Sequence, residues 1–392
     1  MKITSRGFMT VGLVVAAAAV LSGCSAATTT AEPAATSDAA AVDLAAAGCP
    51  ATVVIQTDWN PEADHGHAYE LVGPNPVIDS EKKTVTGDLM SGGKSTGVKV
   101  EVRAGGPAIG YSSVSAQMYQ DPSITLGYVS TDEAIQNSDK LQTTAVFAEN
   151  QKSPQMIMWD PATYPDVETI ADLGKALAAD GGVVRYFKGA AYMSYLNGAG
   201  LLPDSVLDGG YQGTPAAFVT AKGKDGQQGF ATAEPYTYEN EIGAWGKPVK
   251  YQLIFDAGYE IYPEAVSIRT GDKEKLSECL TALVPVLQQA DVDYISNPTE
   301  TNALVIDLVN AYNNGWVYTA ATADYGVKTM KELGIAANGT DGVAGSMDEA
   351  RIAKVLATDT PIFTKQGSTL KAGLKASDMF TNEFLDTSIS FK

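Results

Sequence analysis

Histidine, cysteine and basic residues are all scarce in this chain. Its 392 residues include 2 histidines and 3 cysteines, and 27 lysines and arginines stand against 46 aspartates and glutamates, giving a formal net charge of −19. A strongly acidic chain without a basic arm repels nucleic acid and anionic lipid headgroups, so nucleic-acid binding is excluded as a function. The H-E-x-x-H sequence of zinc hydrolases is absent as well.

Long apolar runs are missing too, except for one near the N-terminus, from Phe8 to Leu21. This run is too short to span a bilayer as a mature helix, and with its two preceding basic residues it is typical of an export signal. The sequence LSGC that follows resembles a bacterial lipobox, which implies cleavage of residues 1–23 and a lipid on Cys24. An ordinary secretory signal with an incidental cysteine is the alternative.

Large apolar side chains are almost absent from residues 24–48, so this segment cannot repay the entropy of ordering and is predicted to be a flexible tether. A coil of this length spans roughly 25–30 Å. We therefore expect a protein held by a lipid anchor on the extracytoplasmic face of the cell membrane. The remaining ~340 residues are too many for one ordinary core and favour two lobes.

From residue 51 onward, short apolar runs alternate with helical stretches, which indicates an α/β protein with mainly parallel sheets. We predict a first lobe over residues 49–152, a second lobe over 153–250, and a return to the first lobe with C-terminal helices over 251–392. Asp166 is the predicted N-cap of a helix in the second lobe, and another helix begins near Lys273. The predicted strands are 51–55, 98–104, 124–129, 154–159, 183–187 and 229–233, with further strand character in 249–270.

Two cysteines, Cys49 and Cys279, remain in the predicted folded body. Outside the cytoplasm disulfides persist, and both residues belong to the lobe that the returning chain completes, so we expect them to be paired. A buried free thiol is the alternative for Cys279, because it shares a helix face with Leu276 and Leu280.

Polar and aromatic residues follow five of the predicted strands. In open α/β sheets ligands bind beyond the carboxyl ends of strands, so two facing lobes would bring these residues around one cleft. An ordinary helix-capping role is the alternative for each of them. The glycine-rich stretch GGPAIG (105–110), which follows the strand predicted at 98–104, departs from the G-x-G-x-x-G motif, so no dinucleotide cofactor is expected. The candidates are Asp58, Trp59, Tyr111, Ser112, Ser113, Thr131, Asp132, Lys188, Tyr192, Glu234, Tyr236 and Tyr238.

Both histidines, His65 and His67, lie just behind the first of these strand ends. A zinc or manganese site would need further ligands, which Asp58, Glu62 or Asp64 could supply. A pocket for an organic ligand is the other interpretation, and we expect no obligatory metal ligand in the pair.

The stretch D-W-x-P-x-x-x-H, from Asp58 to His65, resembles the opening of the ABC-transporter solute receptors that bind thiamine-pyrimidine precursors, riboflavin and sulfonates. The stretches LGYVSTDEAI, KSPQMIMW, DVETIADLGKAL and ATAEPYTYENE follow in that family's order, over roughly residues 50–270. The resemblance implies a type II periplasmic-binding fold whose two lobes close on a ligand without performing chemistry. It further implies that Trp59 packs against the ligand, that His65 hydrogen-bonds it, and that Asp132 and Glu234 lie in the cleft. His67 has no counterpart and is predicted to be a surface helical residue.

We therefore expect the solute-binding component of an ABC importer, whose partner is a membrane permease. Carboxylates and aromatic faces together favour a neutral or amino-bearing heteroaromatic ligand such as a vitamin precursor. The alternatives are a receptor for a small anion (sulfonate or nitrate) or for a metal ion, a receptor that feeds a membrane sensor, and an enzyme similar to the family's pyrimidine synthases. Those synthases carry a cysteine-rich iron-binding stretch that this chain lacks.

Overall fold

The computed structural model describes residues 42–392. The predicted signal peptide, Cys24 and most of the predicted tether lie outside the described residues. The end of that tether was predicted wrongly, because Leu44 is fully buried in the core of the folded body and its N–H donates to the Thr96 carbonyl at 2.9 Å. One leucine among small residues thus anchors the turn that precedes Cys49.

The strands form two sheets. Seven belong to the first: β1 (Thr52–Gln56), β2 (Val77–Asp79), β3 (Thr84–Ser91), β4 (Lys94–Arg103), β5 (Leu126–Tyr128), β6 (Thr143–Ala148) and β12 (Ala265–Arg269). Five belong to the second: β7 (Gln155–Trp159), β8 (Val184–Arg185), β9 (Leu207–Asp208), β10 (Gly226–Phe230) and β11 (Lys250–Leu253). The spatial orders are β2-β3-β4-β1-β5-β12-β6 and β11-β7-β10-β8-β9. We call the first sheet with its helices the first lobe. The second sheet with the helices between residues 170 and 240 is the second lobe.

Helices of very different lengths cover the sheets. Their bounds are α1 (Gly66–Glu70), α2 (Val114–Gln120), α3 (Thr131–Gln136), α4 (Ile170–Asp180), α5 (Ala191–Gly198), α6 (Ala216–Thr220), α7 (Glu234–Asn240), α8 (Lys273–Ser296), α9 (Thr299–Tyr312), α10 (Ala320–Leu333) and α11 (Glu349–Lys365). The predicted helix from Lys273 is confirmed. The cap of α4 is Thr169, not Asp166, since the Thr169 side chain accepts from the Asp172 N–H. Within residues 42–392, none of these helices has the length and apolarity needed to cross a bilayer.

The sheets are mixed, so the expectation of mainly parallel sheets was wrong. β1 runs parallel to β4 and β5, but β12 is antiparallel to both of its neighbours, and β7 is antiparallel to β10 and β11. β7 and β12 enter their sheets directly from a chain crossover, without the intervening helix that a parallel connection needs. The sequence prediction also missed the antiparallel hairpin of β3 and β4.

The chain passes between the lobes twice, between Ala148 and Gln155 and again between Leu253 and Ala265. Because β11 pairs with β7, the second sheet extends past the predicted boundary at residue 250. α11 packs against both α3 and α5, so a helix from the C-terminal part of the chain contacts both lobes.

A disulfide joins Cys49 to Cys279, with the two Cα atoms 4.7 Å apart. Cys279 is also buried on the core face of α8, at 2 % exposure. The bond therefore ties the residues just before β1, the strand that leads into the predicted site, to the longest helix of the first lobe.

Residues 93–97 (GKSTG) have the letters of the G-x-S-x-G nucleophile elbow of serine hydrolases. They lie in the turn and first residues of the β3–β4 hairpin, and Ser95 is exposed. Since a nucleophile elbow is a turn from a strand into a helix, this match of letters carries no catalytic meaning.

Candidate functional site

A cavity of about 370 Å³ lies between the two lobes. The first lobe lines it with the segments that follow β1, β4 and β5, the second lobe contributes the start of α5, and α11 contributes one ring. The lining residues are Asp58, Trp59, Gly106, Tyr111, Ser112, Ser113, Val114, Ser130, Asp132, Glu133, Gln136, Gly189, Ala190, Ala191 and Phe363. The structure therefore brings Asp58, Trp59, Tyr111, Ser112, Ser113 and Asp132 of the predicted site together.

Parallel pairing of β1 with β4 and β5 explains this assembly, because the carboxyl ends of parallel strands meet at one edge of a sheet. Ser113 caps α2 by accepting from the Ala116 N–H, and Ser130 caps α3 by accepting from the Glu133 N–H. The capping and lining roles thus coincide in the same side chains.

The first-lobe wall of the cavity is acidic. Asp58 is 45 % exposed, and Asp132 and Glu133 follow it around the wall. Glu133 accepts from the Ser115 N–H at 2.8 Å, and burial raises its pKa to about 7. Burial likewise raises the pKa of Asp132. No lysine or arginine of residues 42–392 lines this cavity.

His65 lies behind this wall rather than in it. Its ring is 1 % exposed, and Nε2 is 2.9 Å from Asp58 Oδ1. Burial opposes protonation of the ring, but the hydrogen bond and charge of Asp58 outweigh it, so the pKa of His65 is raised. This geometry makes His65 a support for Asp58, in place of the predicted direct contact with a ligand.

His67 is fully buried, and the prediction of a surface residue was wrong. Nδ1 lies 2.6 Å from Glu149 Oε1, and the ring stacks on Tyr128 at 5.6 Å between centroids. Burial lowers the pKa of His67 to about 4 and raises that of Glu149, so the pair is better described as neutral than as an ion pair. The two histidines therefore contact different carboxylates.

Trp59 fits closely over the glycine-rich turn that follows β4. The Gly106 N–H donates to the Asp58 carbonyl at 2.8 Å, and a Cβ added to Gly106 would lie 2.7 Å from Trp59 Cε3. Tyr111, which is 69 % exposed, lies 6.0 Å from the Trp59 ring at an angle of 51°. The absence of a side chain at Gly106 thus permits the close approach of the Trp59 ring.

Replacing Gly106 by alanine should displace the Trp59 ring and change the tryptophan fluorescence of the protein. Gly110→Ala is the matched control, because both glycines have positive φ (54° and 62°) but a Cβ at Gly110 meets nothing within 4 Å. Emission spectra of the two variants at equal concentration make the comparison. Identical spectra for Gly106→Ala and the parent would contradict this packing.

The other predicted residues do not line the cavity. Thr131 is buried and its hydroxyl accepts from the Tyr262 N–H, while the Tyr192 hydroxyl donates to Gln228. Lys188 is exposed beside the lining residue Gly189. Glu234 accepts from the Phe230 N–H, and Tyr236 packs on Tyr325. Tyr238 is buried and accepts from Gln227.

Sequence reasoning missed several lining residues. Glu133 could have been found, since it is the second acid in the first turn of α3. Phe363 could not, because it lies on α11 near the end of the chain and reaches the cavity only through the packing of that helix across both lobes. Gly189, Ala190 and Ala191, at the start of α5, have no polar or aromatic side chain that would have marked them as site residues.

No protein-family model and no curated protein matches the chain. Among solved structures, the chain is similar to the periplasmic aliphatic sulphonate binding protein SsuA from Escherichia coli, with 14 % identity over 81 % of this chain and 88 % of that one and a TM-score of 0.51. It is also similar to the periplasmic nitrate-binding protein NrtA from Synechocystis PCC 6803, with 11 % identity over 85 % and 87 % of the two chains and a TM-score of 0.50. At such identities the likeness establishes the fold alone. The chain has the type II periplasmic-binding-protein fold, two α/β lobes joined by two crossovers, as its sequence predicts.

Proposed function

We propose that this protein is the extracytoplasmic solute-binding component of an ABC importer, and that it captures a small heteroaromatic molecule such as a vitamin precursor between its lobes. The observation that carries the proposal is the inter-lobe cavity itself, with an aromatic ring from each of three chain segments and three carboxylates around it. Cavities with apolar faces and a few convergent polar groups are typical of small-molecule sites.

The chemistry of the wall supports a ligand with N–H donors. Asp58, Asp132 and Glu133 can accept from amino groups, while Trp59 and Tyr111 offer flat faces to a ring. An amino-bearing heteroaromatic molecule combines both features. In this proposal the signal peptide directs export and is removed, and the lipid on Cys24 then holds the protein at the membrane. A permease receives the ligand, and the protein performs no chemistry.

A small anion is the second candidate, because three helices, α2, α3 and α5, begin at the cavity. Helix N-termini attract anions, and the two similar structures are named for binding a sulfonate and nitrate. The Glu133 carboxylate already accepts from an N–H of the first turn of α2, however. We therefore favour the amino-bearing ligand.

Two substitutions distinguish these candidates. Trp59→Ala should weaken binding of a ring by about 1–3 kcal/mol through loss of an aromatic anchor. Asp58→Asn should weaken an amino-bearing ligand by a similar amount, because a charge-assisted hydrogen bond is lost, and should strengthen an anion. Titration calorimetry with 4-amino-2-methylpyrimidine, ethanesulfonate and nitrate measures both effects.

Tyr119→Ala and Asp88→Asn are the controls, since Tyr119 is an exposed ring outside the cavity and Asp88 is an exposed acid paired with Lys99. Native mass spectrometry of the protein as isolated provides an independent search for a co-purified molecule. Tight binding of ethanesulfonate or nitrate that Asp58→Asn strengthens would overturn the heteroaromatic proposal and leave the anion receptor.

A further inference from the structure

Residues 313–319, between α9 and α10, contact the segment that carries Trp59. We call them the 313–319 loop. The Asn314 side chain donates to Asn60 Oδ1 at 2.7 Å, and Trp316 Nε1 donates to the Pro61 carbonyl at 3.3 Å. The loop therefore holds the two residues that directly follow Trp59.

Two aromatic side chains of the 313–319 loop also contribute to this contact. Trp316 meets the Trp59 ring edge-on, at 6.1 Å between centroids and 89° between planes. Tyr318 stacks on Trp316 at 6.1 Å and 13°, and its hydroxyl accepts from the Ala63 N–H at 3.1 Å. The Trp59 ring therefore contacts both the turn at Gly106 and Trp316, two residues that are 210 positions apart in the chain.

The same loop is tied to the second lobe. Thr319, the N-cap of α10, donates to Glu241 Oε1 at 2.6 Å, and Thr322 donates to the same oxygen at 3.0 Å. Glu241 is the C-cap of α7 in the second lobe. Any change in the separation of the lobes must therefore move the loop or break these two hydrogen bonds.

We propose that Trp316 is a positioning residue for Trp59, and that Glu241 transmits the position of the second lobe to it through the 313–319 loop. This inference rests on the proposed function, because Trp59 is the aromatic face offered to the ligand. When the lobes close, the loop aligns the Trp59 ring with the cavity. Alignment before contact lowers the entropy lost when the ligand orders the site.

Fluorine NMR of the ligand-free protein tests the proposal. The chain has 4 tryptophans, so incorporation of 5-fluorotryptophan gives four resonances, and Trp59→Phe assigns that of Trp59. We expect Trp316→Ala to shift or broaden the Trp59 resonance and Trp316→Phe to restore most of its position, since phenylalanine keeps a ring edge. We expect Glu241→Ala to shift the same resonance from the second lobe.

Matched controls keep the result specific. Val317 is the neighbour of Trp316 and is 76 % exposed, so Val317→Ala truncates a side chain of the loop that makes no buried contact. Glu239→Ala removes an exposed acid of α7 near Glu241. Neither should move the Trp59 resonance, and the resonance of Trp159, fully buried in the second lobe, reports on folding in every variant. If Trp316→Ala disturbs Trp159, Asn314→Ala replaces it, because it keeps the Trp316 ring and removes only the hydrogen bonds of Asn314 to Asn60 and to the Trp316 N–H.

An unmoved Trp59 resonance in Trp316→Ala would overturn the positioning role. A resonance that moves in Trp316→Ala but not in Glu241→Ala would overturn the link to the second lobe. Because these spectra need no ligand, they give the same answer whether or not a solute is found, so failure of this inference is distinct from failure of the proposed function.

Discussion

Removing the disulfide between Cys49 and Cys279 should lower the free energy of unfolding by up to about 5 kcal/mol, since it closes a loop between residues 230 positions apart. The figure is an upper value, because residual structure in the unfolded chain reduces the entropy that a cross-link removes. For a protein of this size the loss corresponds to a fall of roughly 10 °C in Tm. The double variant Cys49→Ala, Cys279→Ala avoids burying a new hydroxyl at position 279.

Reduction provides the control for this experiment. A reductant should lower the Tm of the parent toward that of the double variant and leave the variant unchanged. Alkylation of the denatured, unreduced soluble domain should detect no free thiol from either cysteine. Two alkylated thiols, or a variant as stable as the parent, would contradict a stabilising bond at this position.

The elements that sequence predicts best are those whose pattern is local. β1 is a continuous apolar run because successive side chains on both of its faces are buried, and such a run can be recognised from the local sequence alone. The strand predicted at 98–104 is the second part of β4, but β3 and the start of β4 were missed, although β4 shows a regular alternation of buried and exposed residues. These residues are polar and include glycines, so their sequence predicts a loop unless the partner strand is known.

The same distinction governs the site. Asp58, Trp59 and Asp132 follow strands directly, so their place at one edge of a sheet is predictable. His67 sits near acids in the sequence and therefore looks exposed, but its partner Glu149 arrives 82 residues later from the end of β6. The role of Trp316 could not be predicted either. Its contact with Trp59 depends on how α9 and α10 pack, which the local sequence does not indicate.

One tyrosine hydroxyl lies within hydrogen-bond distance of two carboxyls, those of Asp132, which lines the cavity, and Asp359, which is buried. The Tyr259 hydroxyl lies 3.0 Å from Asp359 Oδ2 and 3.3 Å from Asp132 Oδ2. A hydroxyl has one hydrogen to donate, so it can bond fully to only one of the two carboxylates, and this favours a proton on the other. Burial, with the nearby charge of Asp132, raises the pKa of Asp359 to about 8.

The pH dependence of stability follows from the sign of this shift. A carboxyl whose pKa is higher in the folded state than in the unfolded one contributes stability below its unfolded pKa, near 3.8, and loses it as the pH rises toward the folded value of about 8. The raised pKa values of Glu133 and Glu234, both about 7, act in the same direction. His67, whose pKa is lowered to about 4, acts oppositely below its ordinary value of 6.5.

We therefore expect maximal stability at about pH 4–5 and a loss between pH 5 and pH 8.5, because the three raised carboxyls outweigh the single histidine over that range. Asp359→Asn should remove a share of that loss on the order of 3 kcal/mol, because each unit of pKa shift corresponds to about 1.4 kcal/mol and relaxation reduces the full value. Urea unfolding of the parent, Asp359→Asn and the exposed control Asp88→Asn at pH 5.5 and 8.5 measures the difference. The infrared spectrum at neutral pH should contain a carboxylic-acid C=O band that Asp359→Asn lacks. A parent that is more stable at pH 8.5 than at 5.5, with identical spectra in this region for the parent and Asp359→Asn, would show that Asp359 is ionised and that Tyr259 leaves one carboxylate unpaired.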